Sequence, residues 1–377
     1  MMSCNSSSGC GFSERHTIKY VMNLTEIEEA TTGPLPVTLR VALSVVMMVI
    51  IVVGFLGNAV VCLIVYQKPA MRSAINLLLA TLAFTDIMLS LFCMPVTAVT
   101  VVSDDWHFGP DFCRVTVMLY WLFVLEGVAI LLIISVDRFL IIVRRQDKLT
   151  PSRARLLIAG SWLLSFCLAL PSAASWSALE GLGPKPGHCV LGYIESLPDR
   201  RYTVLLAAAV FFIPVSVMLF SYLRILNTVR RNALRIHNHA CPGSDQGSKA
   251  GLAVLRRPPQ LSVDMSFKTR AFTTILILFV GFSVCWLPHT VLGLLAAFSR
   301  RFYLSAGFYP AGVGALWLSY LKAVFNPAVY CWRIRKFREA CEEFVPRSCR
   351  LPKIPGRSRR RVRPCSIYVC AESQSAM

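Results

Sequence analysis

Three ionisable residues fall in the middle of long apolar stretches: Asp86, Glu126 and Lys322. A charged side chain at the centre of a bilayer costs about 3 kcal/mol or more unless it is paired or faces a polar interior. Lys322 therefore needs a partner, and the candidates are Asp86, Glu126 or a backbone carbonyl. A further pair, Asp137-Arg138, stands at the end of another apolar stretch. An arginine there can pair with its neighbouring acid when helices are closed, or reach a new partner when they open. The plainer reading is a boundary arginine whose stem lies along the apolar helix and whose head is in water. No nucleophile–base–acid set and no metal-ligand cluster is visible. The chain is therefore expected not to be an enzyme, and to need no cofactor and no metal.

The elements that carry these residues follow from composition. The 377 residues are 55% hydrophobic and only 16% charged, where soluble domains carry about 25% charged residues. A membrane span needs about 20 apolar residues, and that ruler yields seven candidate spans at roughly 39–66, 74–101, 110–143, 154–176, 202–229, 268–297 and 310–332. Pro95, Pro171, Pro214, Pro288 and Pro327 fall inside them. Membrane helices tolerate such prolines, which soluble helices do not, and the helices are expected to bend there.

With the odd-numbered spans entering from outside, most of the 39 Lys and Arg residues lie on the cytoplasmic side. The positive-inside tendency then places the N-terminus outside and the basic C-terminus inside the cell. The net charge of +19 is thus membrane topology, and no nucleic-acid partner is expected. Two glycosylation sequons, at Asn5 and Asn23, both fall in the segment expected to be extracellular. Residues 1–16 hold no apolar core, so the first span itself is expected to start insertion. The expected fold class is an all-α membrane protein: a seven-transmembrane helix bundle (39–332) behind an extracellular tail (1–38). A short amphipathic eighth helix on the inner membrane face (333–345) and a cytoplasmic tail (346–377) follow, and the protein is expected at the plasma membrane.

Motifs inside the spans narrow the class. Gly57-Asn58 lies in span one and Leu82-Ala83-Phe84-Thr85-Asp86 in span two. Trp106-His107-Phe108-Gly109 precedes span three, which ends in Asp137-Arg138-Phe139. Trp162 marks span four, Pro214 and Tyr222 mark span five, and Phe282 with Cys285-Trp286-Leu287-Pro288 marks span six. Asn326-Pro327-Ala328-Val329-Tyr330 closes span seven. In this order and spacing the chain resembles the rhodopsin-like G-protein-coupled receptors from about residue 40 to residue 345. Wider stretches, Met71–Asn76, Glu126–Arg138 and Lys268–Leu278, look like an orphan pair within that class whose relatives are discussed as lipid receptors.

The resemblance implies a two-state bundle coupled to a heterotrimeric G protein. Its implied switch residues are Asp137, Arg138, Tyr222, Lys268, Phe282, Trp286, Pro288, Asn326, Pro327 and Tyr330. It also implies a disulfide between Cys113 and Cys189, with both partners on the oxidising side. Cys341 and Cys349, after the amphipathic stretch, are candidates for palmitoylation. The final Ser375-Ala376-Met377 has the form of a weak PDZ ligand. The third inner loop, about 230–267, reads as mobile, with helical extensions at both ends. With Arg144, Arg145 and Lys148 it makes a basic rim that suits a G-protein surface or anionic lipid.

Three departures from the class are informative. Amine receptors place an aspartate eighteen residues before the span-three arginine, where this chain has Tyr120, followed by Trp121. The pocket suggested by spacing is Tyr120, Trp121, Val124, Trp286, His289, Thr290 and Tyr320. Being aromatic and nearly uncharged, it suits an apolar or lipid-like ligand better than a cationic one; an ordinary packed core is the plainer reading. Second, the class commonly holds a sodium ion between the span-two acid and polar residues of spans three and seven. The matching positions here are Asp86, Gly127 and Lys322, so the Lys322 ammonium is expected to take the ion's place beside Asp86. Third, many relatives carry a glutamate twenty residues before the span-six proline, and here Lys268 stands there. A cation cannot hold Arg138 closed, and ligand-independent signalling is expected.

Two rivals belong to other classes. A transporter would show internal repeats and a polar path. A retinal-type photoreceptor would carry its lysine six residues before Asn326, where Tyr320 stands. Lys322 is two residues further on, turned by about 200° around the helix.

Overall fold

A computed structural model of the chain describes residues 35–103, 106–174, 197–240, 260–305, 307–333 and 337–340. All its regular elements among the described residues are helical. Seven long helices dominate: α1 (Val37–Gln67), α2 (Ala74–Ser103), α3 (Gly109–Ile142), α4 (Pro151–Ala174), α5 (197–240), α6 (Gln260–Phe298) and α7 (Phe308–Arg333). The first six are long and apolar enough to cross a membrane. The 26 residues of α7 are also long enough to span, at about 1.5 Å per residue, but Lys322 and Asn326 lower its hydropathy. Both are buried, so the helix that reads least like a span in sequence is one that turns its polar face into the bundle.

The packing is inside out relative to a soluble protein. On α1, Met47, Ile50, Asn58, Val61 and Ile64 face inward, while Val45, Val46, Val49, Val52, Val53 and Leu56 are exposed. That apolar outer surface is what a bilayer requires. Helix α3 sits at the centre, packed against α2, α4, α5 and α6, and α7 lies between α1 and α6.

Two of the five prolines come with a specific local structure. Leu89–Cys93 in α2 and Ala208–Phe212 in α5 are π-helical turns, each ending two residues before a proline, Pro95 and Pro214. A proline lacks the N–H that would bond the carbonyl four residues back and its ring clashes with that carbonyl. Those carbonyls, of Leu91 and Val210, lie inside the two widened turns, which take up the clash by inserting a residue. Ser90 and Thr97 donate to the carbonyls of Asp86 and Cys93 at 2.8 and 2.9 Å.

Close approach of backbones fixes α7. Asn58 donates to the carbonyls of Gly54 and Ala323, each at 2.8 Å, tying α1 to α7. At the outer end Trp317 Nε1 donates to Leu43 O at 2.9 Å. On the other side a Cβ at Gly281 of α6 would lie only 2.3 Å from the Phe325 ring of α7. Gly281→Ala is therefore expected to destabilise the bundle by overpacking, by about 1–3 kcal/mol. Phe325→Ala in the same chain should recover much of that loss, because the two sites share one contact. Thermal denaturation of the purified receptor checks both, and an unshifted midpoint in Gly281→Ala would contradict the close approach.

Of the stretch expected to form an amphipathic eighth helix, only 337–340 is described. These residues are helical, with Phe337 and Ala340 buried and Arg338 and Glu339 exposed. Phe337 stacks toward Tyr330, with ring centroids 6.1 Å apart. Asn5, Asn23, Cys189, Cys341, Cys349 and the C-terminal tripeptide lie outside the described residues.

Candidate functional site

In the outer half of the bundle α3, α6 and α7 bring four aromatic rings together around that of Tyr120. Its ring centroid lies 5.2 Å from Trp121, 6.3 Å from Trp286, 6.3 Å from His289 and 5.9 Å from Tyr320. Trp286 and His289 meet edge to face at 5.5 Å, a geometry that aromatic quadrupoles favour. The cluster contains no Asp, Glu, Lys or Arg. Val124 and Thr290, the other two residues of the expected pocket, are buried, and the Thr290 hydroxyl donates to Trp286 O at 3.0 Å. Tyr320 turns toward Tyr120 and shares a 3.3 Å hydroxyl contact with Thr97.

Below the cluster, Phe282 lies under Trp286 with rings stacked at 6.3 Å, and Pro288 falls inside α6 just above it. A ligand pressing on the aromatic cluster would act directly on the stretch of α6 that lacks one backbone hydrogen bond.

At mid-membrane, Lys322 Nζ lies 3.3 Å from Asp86 Oδ1, and Asn326 Nδ2 donates to Asp86 Oδ2 at 2.7 Å. Both charged side chains are buried. Gly127 leaves room for the ammonium: a Cβ there would lie 3.0 Å from Lys322 Nζ, a tight contact that the lysine would have to yield to by a few tenths of an ångström. These residues do not fit a bound sodium ion, since Gly127 supplies no oxygen and Lys322 brings a positive charge to the same carboxylate. Glu126 is turned elsewhere, with Ser161 Oγ 2.8 Å from Oε1 and Ser165 Oγ 3.2 Å from Oε2.

At the inner end, Arg138 is held by its neighbour: its Nε and Nη2 donate to Asp137 Oδ2 at 3.0 and 2.5 Å. The buried Tyr222 hydroxyl of α5 donates to Ile275 O of α6 at 3.2 Å. Tyr330 is fully buried, and among the described residues its hydroxyl has no hydrogen-bond partner. Lys268 falls on the inner part of α6, a stretch described by its helical backbone alone. Arg138 is thus paired with Asp137, and Tyr222 ties α5 to α6. Near the outer end of α3, Cys113 is buried and disulfide-bonded.

Sequence reasoning passed over two contacts. One is the seating of Glu126 on two serines, for which the signal was available: Ser161 and Ser165 are four apart and so share a helix face. The other, Tyr222 to a main-chain carbonyl, leaves no mark in residue types.

Seven helices enclosing a caged inner arginine, a buried ion pair and an outer aromatic cluster define a membrane receptor of the G-protein-coupled class. The chain belongs to the 7 transmembrane receptor (rhodopsin family), whose pattern it matches over residues 57–330. It is 65% identical over 343 residues to the "High-affinity lysophosphatidic acid receptor" of Xenopus laevis, covering 90% of this chain and 91% of that protein. It is 60% identical to the human "Probable G-protein coupled receptor 45" over the whole of both chains. With the human "Probable G-protein coupled receptor 63" it shares 52% identity over 90% of this chain and 81% of the other. Squid rhodopsin superposes with a TM-score of 0.68 at 19% identity, over 85% of this chain and 90% of that one, and so shares the fold. Membership of this family removes the transporter alternative. The retinal alternative has no support at Tyr320.

Proposed function

We propose that this receptor sits in the plasma membrane with its N-terminus outside, and that it answers a lipid-like ligand whose apolar part lies against the aromatic cluster. The observation that carries this reading is the uncharged aromatic cluster of Tyr120, Trp121, Trp286, His289 and Tyr320. A cationic ligand would need a buried acid there, and the buried acids among the described residues, Asp86, Glu126 and Asp137, are engaged elsewhere. The name of the Xenopus relative supports a lysophospholipid. Ligand contact would shift Trp286 and Phe282 and bend α6 at Pro288. That bend would part Tyr222 from Ile275 and free Arg138 from Asp137 for a heterotrimeric G protein. The Cys113–Cys189 bond, sugars on Asn5 and Asn23, and acylation of Cys341 or Cys349 complete this reading.

Cells carrying the receptor would be challenged with lysophosphatidic acid, a choline-headed lysophospholipid and a monoamine, reading cAMP and inositol phosphates. A response to the acidic lipid is expected. Trp121, half-buried at the edge of the cluster, should on change to Ala weaken the response about tenfold or more at equal surface level, the loss typical of an aromatic residue covered by its ligand. A response to the amine alone, or a lipid response indifferent to Trp121, would overturn the assignment.

A further inference from the structure

Glu126 is fully buried in the centre of α3, yet among the described residues it forms no ion pair. The signalling route described above does not use it. Its carboxyl is met by α4 alone, through Ser161 at 2.8 Å and Ser165 at 3.2 Å. Trp162, between those serines in sequence, meets Phe123 and Phe84 edge to face at 6.3 and 6.1 Å, adding apolar rings to the α2–α3–α4 contact.

Counting hydrogens decides the charge state. Ser161 Oγ is 2.8 Å from Glu126 Oε1 and also 2.9 Å from Ile158 O. A hydroxyl carries one hydrogen and a peptide carbonyl carries none to give. If the Ser161 hydrogen goes to Ile158 O, the contact with Glu126 needs a hydrogen from the carboxyl. If it goes to Glu126 instead, an ionised carboxylate keeps only two hydroxyl donors and no cation, inside a bilayer where an uncompensated charge is costly. A neutral acid closes the network: Glu126 donates to Ser161, Ser161 to Ile158 O, and Ser165 to the remaining carboxyl oxygen.

We infer that the α3–α4 joint is a proton-binding site formed by Glu126, Ser161 and Ser165, with Glu126 an uncharged carboxylic acid in the resting bundle. The receptor thus neutralises the two acids in the middle of its bundle in different ways, Asp86 by a tethered ammonium and Glu126 by a proton. The joint assembles with uptake of that proton, and α3 is held to α4 without engaging any cation that the switch requires.

Infrared difference spectra of the purified full-length receptor, wild type against Glu126→Gln, test the assignment. A carboxylic-acid C=O band should be lost in the variant, and in the wild type it should shift when the glutamates are isotope-labelled. Glu126→Gln should keep the wild-type surface level and thermal midpoint, because its amide donates to Ser161 as the acid does; Glu126→Ala should lose both. The absence of a labelled acid band in the wild type would overturn the proposal whatever the yield of the variants. So would a Gln variant as damaged as the Ala variant.

Discussion

Lys322→Ala is expected to unseat the centre of the bundle. The substitution removes the ammonium 3.3 Å from Asp86 and leaves a buried carboxylate with Asn326 as its remaining neutral donor. Removing one partner of a buried pair costs about 3–5 kcal/mol, because the other charge is left uncompensated. Against a total stability of about 5–15 kcal/mol, that should clear most of the receptor from the cell surface and lower the thermal midpoint of what remains. Asp86→Ala should do comparable damage. The double change Asp86→Asn with Lys322→Met should be milder than either single change, since it removes both charges and keeps the volumes. A double mutant no better than the singles would show that the pair matters for packing alone. The same geometry predicts that wild-type stability in detergent is unchanged when sodium is exchanged for choline at constant ionic strength. A sodium-dependent midpoint would contradict the reading of Lys322 as the resident cation.

Much of this architecture was legible in the sequence, for physical reasons that also mark where legibility stops. Six spans announce themselves because a bilayer demands unbroken apolar length. The same ruler marks the seventh at 310–332, although α7 is less apolar than the others because it is polar where it faces inward. The prolines foretold bends, but only two of the five, Pro95 and Pro214, follow π-helical turns. That choice depends on how neighbouring helices absorb an extra residue, which is tertiary information. Tyr120 beside Trp286 and Tyr320 could be placed by spacing, since each lies on a known face of a long helix. The partner of Lys322 could not be settled by burial cost, which favours any acid. The packing decides it: Lys322 reaches Asp86 beside Gly127, where a Cβ would crowd the ammonium, while Ser161 and Ser165 hold Glu126 toward α4.

The second large effect concerns signalling without ligand. Among the described residues Arg138 is held by the carboxylate next to it in sequence, a contact within one helix that does not fasten α3 to α6. The link from α6 is Tyr222 to Ile275 O, and it runs to α5. At position 268, where the family resemblance implies an acid, this chain carries Lys268, a charge of the opposite sign. A missing bridge of about 1–3 kcal/mol raises an active minor state about 5–150-fold. Cells with rising surface levels of the receptor should therefore show a cAMP or inositol-phosphate signal that scales with receptor and needs no ligand. Arg138→Ala at matched surface expression should abolish it, because the G protein then loses the cation released from Asp137. Lys268→Glu should lower it about fivefold or more by supplying the bridge. A wild-type signal that stays flat would remove the claim of basal activity and leave the receptor fold untouched. A basal signal unchanged or raised in Lys268→Glu would place the restraint on α6 elsewhere, with the Tyr222 contact to Ile275 as the next bond to cut.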